Sequence, residues 1–135
     1  MISIDEAEKI LDEIAAGLPE EFFDELNGGI ILLPEAKRDP ISRKNDDLYI
    51  LGEYNSGGGL GRYISIYYGS FERLYGNMSR ETFKEELEIT LKHEFIHHLE
   101  SLAGERGLEK EDEQFMQDYL YGRDWNVRRR RLKQR

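Results

Sequence analysis

Residues 79–103 read SRETFKEELEITLKHEFIHHLESLA, and this stretch decides the fold. Its apolar residues recur at helical spacing, and Gly104 and Gly107 follow as helix breakers, so a helix is expected from Ser79 to about Ala103. With His93 set at zero on a 100° wheel, Leu91, Phe95, Leu99 and Leu102 cluster between about 160° and 240°. That stripe would anchor the helix to a core. All three histidines of the chain fall in His93-Glu94-Phe95-Ile96-His97-His98, and the first five of these form an HExxH pattern. His93 and His97 are separated by about 40° and one turn of rise, so both imidazoles can reach one ion.

The chemistry follows from these residue types. Two neutral imidazoles one turn apart form half of a tetrahedral zinc site. Glu94 is rotated by about 100° from His93, too far aside to join the pair but placed to touch a zinc-bound water. Zn2+ would lower the pKa of that water and polarise a scissile carbonyl. Glu94 would take the proton and pass it to the leaving amine. The competing reading is a solvated polar face with Glu94 and His98 as an i,i+4 pair. A catalytic zinc needs a third protein ligand. The chain has no cysteine and no further histidine, so that ligand must be a carboxylate. Glu100 lies on the same helical ridge as the His pair and would close a tetrahedral shell poorly. Glu105, Glu109, Asp112 and Glu113 follow the Gly104 break, where the chain can turn back.

Outward from this helix, Ser3 and Glu6 read as a capping box, and Ala7, Ile10, Leu11, Ile14 and Leu18 keep helical spacing until Gly17 and Pro19. A short turn over 20–26 ends at Asn27-Gly28-Gly29. Ile30-Ile31-Leu32-Leu33 is a buried-strand pattern, 34–46 a loop, and Leu48 to Leu51 a second strand. Asn55-Ser56-Gly57-Gly58-Gly59 is a hairpin turn. It lacks the Lys-Ser/Thr that would make it a phosphate loop. Arg62 to Tyr68 alternates and reads as an antiparallel or edge strand. Arg62 itself could stabilise an oxyanion or pair with an acid, and the ion pair is the commoner role. A last helix is expected from Glu109 to Tyr121. Helix, strands, helix, helix is an α+β order, with a small mixed sheet of three to four strands covered by helices.

Composition narrows the function. The chain has 135 residues, enough for one domain, taken as 1–124 with a basic tail over 125–135. The net charge is −9, and Arg128 to Arg135 alone contribute +6, leaving −15 on residues 1–127. So acidic a body repels phosphate and disfavours nucleic acid, although the basic tail could contact it. No stretch approaches the eighteen apolar residues of a membrane span, and the start lacks a secretory pattern. Absence of cysteine excludes thiolate metal sites and suits a reducing cytosol, so a cytoplasmic location is expected.

The residues HEFIHHLE, preceded by LGEY at 51–54, Arg62 and the strand ISIYY, resemble the minimal zincin-like metallopeptidase family of small bacterial proteins, also described as minimal matrix-metalloprotease-like. The likeness runs from about Ile4 to Tyr121. It implies a compact zincin core of an N-terminal helix, a small sheet, the HExxH helix and a C-terminal helix. It implies zinc on His93 and His97 and catalysis by Glu94. The family's short form, HExxHxxGxxD, supplies its third ligand from the acid after the glycine turn. Straight counting puts that acid on Ala103, so this chain departs from the form by about an extra turn of helix. With that insertion absorbed, Asp112 matches the family's acid, and Glu105 is the alternative. In zincins an edge strand holds the substrate as an added strand, which would assign that role to Tyr63–Tyr68. The expected function is zinc-dependent hydrolysis of peptide bonds in a peptide or protein substrate. The alternative is a metal- or peptide-binding protein that keeps the zincin core with little turnover.

Overall fold

The structure, a computed structural model, describes residues 1–40 and 48–106. It is a mixed α+β arrangement of three helices and a small mixed sheet. Helix α1 (Ile4–Ala16) opens the chain. Ser3 caps it as expected: its Oγ accepts from the Glu6 N–H at 3.1 Å. Ala7, Ile10, Leu11 and Ile14 form its buried face. A 3-10 turn (Glu20–Phe23) leads into β1 (Gly29–Leu33). Two short strands follow, β2 (Lys37–Arg38) and β3 (Tyr49–Ile50), then β4 (Gly52–Asn55) and β5 (Tyr63–Tyr67). Helices α2 (Tyr68–Tyr75) and α3 (Arg80–Arg106) complete the described chain.

The main sheet has the order β1-β5-β4. Strand β5 pairs in parallel with β1, Ile30 opposite Ile64, and antiparallel with β4, Tyr54 opposite Ile64. Strands β2 and β3 form a separate antiparallel pair. The alternating segment at 62–68 is therefore the central strand, not an edge. Its alternation misleads because both faces are covered: Ile64 and Ile66 are fully buried on one, Ser65 and Tyr67 nearly so on the other. The loop expected over 34–46 contains β2, whose two residues offer no periodicity of their own. Helix α2 begins directly where β5 ends, a helix the strand-like alternation conceals. The expected stop at Gly104 is also absent, because α3 continues through it to Arg106. The C-terminal helix expected at Glu109–Tyr121, the basic tail and Asp112 lie outside the described residues.

Helix α3 organises the core. Its predicted stripe is buried as expected: Leu91 and Phe95 are 0 % exposed, Leu99 1 % and Leu102 4 %. Phe83 and Leu87 extend the contact toward α2 and α1. Phe95 meets the rings of Phe22 at 6.1 Å and Phe23 at 5.1 Å, the latter edge-on, so the 3-10 turn rests on the middle of α3. Gly52 lets α3 lie close to β4. A Cβ there would stand 3.0 Å from Thr90 Cγ2 and 3.2 Å from Ile66 Cδ1. Among the described residues, no helix is long and apolar enough to cross a membrane.

Removing the Phe95 ring should empty the centre of this packing. Phe95→Ala is expected to destabilise the fold by about 3–5 kcal/mol, read from denaturant unfolding. A loss below about 1 kcal/mol would contradict the central placement of that ring.

Candidate metal centre and its cleft

The HExxH residues all lie on α3, and the regular helix brings the two outer histidines together. His93 Nε2 and His97 Nε2 stand 3.1 Å apart, with ring centroids at 4.5 Å and planes at 73°. An ion at the usual zinc–imidazole length of about 2.05 Å from both would see them at about 98°, close to a tetrahedral angle. The separation of the two nitrogens is thus within the span that two ligands of one zinc ion would need. Among the described residues there is no group of three or more His, Asp or Glu that could complete such a site. Asp112 lies outside those residues. Glu105 lies on α3, with its side chain outside the description.

Glu94 is 1 % exposed, although it borders an open cleft of about 420 Å³. Tyr54, Ser56, His97, Glu100 and Ser101 line the same cleft. Its walls are thus α3 on one side and the end of β4 on the other. Among the described residues, the strand partner of β4 is β5.

The third histidine has a role that the sequence pattern does not separate from that of its neighbours. His98 is 0 % exposed. Its Nε2 lies 2.7 Å from the Asp24 carbonyl oxygen and its Nδ1 2.8 Å from the Tyr54 hydroxyl. A carbonyl only accepts, so Nε2 carries the proton and Nδ1 accepts from Tyr54. Burial is the main force holding its pKa below the ordinary histidine value, and the Arg62 charge adds to it. The ring stays neutral and links α3 to β4 and to the end of the 3-10 turn. A signal was present: on the helical wheel His98 sits at about 140°, beside the apolar stripe rather than with the metal pair. It is committed to Tyr54 and Asp24, not to the i,i+4 role considered for it beside Glu94.

LGEY, the segment 51–54, is likewise resolved residue by residue. Leu51 joins the core, Gly52 admits α3, and Tyr54 anchors His98. Glu53 points to the other face, where its Oε1 accepts from Lys37 Nζ at 2.7 Å and from the Tyr67 hydroxyl at 2.6 Å. The Glu53 hydrogen bond is the main cause raising the Lys37 pKa, and burial is the main cause raising that of Tyr67. These contacts tie β4 to β5 and β2. Arg62, considered as an oxyanion donor, is outside the described cleft lining, and its carbonyl accepts from the Gly28 N–H at 2.9 Å.

No protein-family profile and no curated protein matches the chain. A solved structure does. The conserved hypothetical protein TTHA0227 from T. thermophilus is 33 % identical, with a TM-score of 0.66. The match covers 76 % of this chain and 99 % of that one. This chain belongs to the same family as TTHA0227. The family relation carries the fold: nearly the whole of the shorter relative is contained in this chain.

Tyr54→Phe should test the buried bridge. It leaves His98 Nδ1 without its donor inside the core, at an expected cost of about 1–3 kcal/mol in thermal or denaturant unfolding. Wild-type stability in that variant would show that the Tyr54–His98 contact contributes nothing.

Proposed function

We propose that this protein is a zinc-dependent metallopeptidase with a zincin-like core. The observation that carries the reading is the 3.1 Å approach of the His93 and His97 Nε2 atoms beside the cleft-lining Glu94. The resemblance of HEFIHH and LGEY to the minimal zincin-like metallopeptidases supports the same reading. His93 and His97 would hold the ion, with Asp112 as third ligand. Asp112 is preferred over Glu105 because α3 runs unbroken past Gly104. On such a helix Glu105 stands eight residues, about 12 Å of rise, beyond His97. Zinc held there would supply a Lewis acid to polarise a scissile carbonyl and acidify water. Glu94 would serve as the base that takes up the proton of the attacking water and delivers it to the departing amine. Its burial beside an open cleft suits a base that must work shielded from bulk solvent. The substrate would be a peptide or protein segment bound in the cleft between α3 and the end of β4. The central strand β5 cannot hold it as an added strand, since both of its sides are occupied. A cytoplasmic location belongs to the proposal as well, since a chain without cysteine suits a reducing compartment.

Two measurements separate the parts of this proposal. Zinc titration against a competing chelator should show one ion per chain, lost in His93→Ala and in His97→Ala. Asp112→Ala should weaken binding more than Glu105→Ala, and the reverse order would move the third ligand to Glu105. Hydrolysis of denatured proteins should then fall by about 10²–10⁴-fold in Glu94→Gln with zinc retained. Equal cleavage by wild type and Glu94→Gln would remove the peptidase reading. Zinc binding with no cleavage by either would leave a metal- or peptide-binding protein.

A further inference from the structure

The two ring nitrogens of His97 face different surroundings. Nε2 is turned to His93 Nε2 at 3.1 Å, the side on which an ion would sit. Nδ1 is turned the other way, toward Glu100, whose Oε1 lies 3.8 Å from it. Three residues separate the pair on α3, so the helix itself keeps them adjacent. The Glu100 side chain is 58 % exposed and that of His97 43 %, which leaves the carboxylate room to close the remaining gap.

An ionised carboxylate only accepts hydrogen bonds. Its charge beside Nδ1 therefore favours the tautomer that carries the proton there. That tautomer leaves the Nε2 lone pair free for an ion. In the metal-free protein the 3.1 Å contact between the rings then requires His93 Nε2 to be the donor and His97 Nε2 the acceptor. A carboxylate behind a ligating imidazole also raises its basicity and fixes its orientation.

We propose that Glu100 is a positioning residue that sets the Nδ1–H tautomer of His97 and so presents Nε2 to the metal. The part concerning the metal rests on the zinc reading above, whereas the tautomer does not. Long-range proton–nitrogen correlation spectra of the full chain, labelled at histidine and free of metal, read the tautomer directly at a pH where imidazoles are neutral. Wild type should show His97 protonated at Nδ1. Glu100→Ala should show a mixture of tautomers, and Glu100→Gln, which still offers an acceptor oxygen, should keep much of the wild-type pattern. Zinc affinity measured by chelator competition should fall about tenfold in Glu100→Ala, the low end for such partners because this one is exposed, and less in Glu100→Gln. The metal-free melting temperature should not move in either variant, which separates positioning from a general loss of structure. An unchanged His97 tautomer together with unchanged zinc affinity in Glu100→Ala overturns the proposal. Zinc that binds to no form of the protein would defeat the functional reading instead, and the tautomer comparison would still decide the role of Glu100.

Discussion

A chain of hydrogen bonds runs from the Tyr54 hydroxyl through the buried His98 ring to the Asp24 carbonyl, and it joins the three pieces on which the cleft depends. Tyr54 belongs to β4, His98 to the long helix, and Asp24 to the turn that packs on Phe95. None of these pieces is sequence-adjacent to another. A neutral imidazole suits the junction because it donates at one end and accepts at the other. A charged ring would have to be desolvated in the core, which is why burial lowers its pKa. Gly52 acts with it by admitting the helix to close range of β4. Loss of either contact would shift His97, the immediate neighbour of His98, relative to the end of β4 that borders the cleft.

Much of this was legible from side-chain periodicity. The buried stripe of α3 and the Ser3 cap of α1 follow from local pattern, and the structure has them where the pattern puts them. The strand at Ile30–Leu33 is also in place, but it is half-buried rather than the buried strand its apolar run suggests, because among the described residues it pairs with β5 alone. The pairing of His93 with His97 was legible for the same reason, since a helix fixes the distance between residues four apart. What was not legible depends on partners distant in sequence. The strand at Tyr63–Tyr67 looks like an edge because Ser65 is polar, yet Ser65 is 3 % exposed between two neighbouring strands. Its Oγ accepts from Asn55 Nδ2 at 3.2 Å, a contact the alternation of residue types cannot announce. Gly104 looked like a stop. A lone glycine costs a helix only about 1 kcal/mol, and here the helix runs on through it.

The HHxE order at His97, His98 and Glu100 shows one helical turn dividing its labour. His97 looks toward His93 and the cleft, His98 into the core, and Glu100 back along the surface toward Nδ1 of His97. Adjacent histidines of the same chemical type thus differ in role through burial and through the partners that fix their protons. The acid surplus of the chain has a comparable split. Glu94 is buried beside the cleft, Glu53 holds a lysine and a tyrosine on the opposite face of the sheet, and Glu13 on α1 meets Arg80 and Lys84 of α3 at the surface.

The central claim is that one zinc ion sits between His93 and His97. X-ray absorption at the zinc edge of the loaded protein tests it most directly. The account predicts a four-coordinate ion with two imidazole nitrogens at about 2.0–2.1 Å and oxygen in the remaining positions. That imidazole signal should vanish in His93→Ala. A spectrum without imidazole scattering, or one unchanged by that substitution, would contradict the claim.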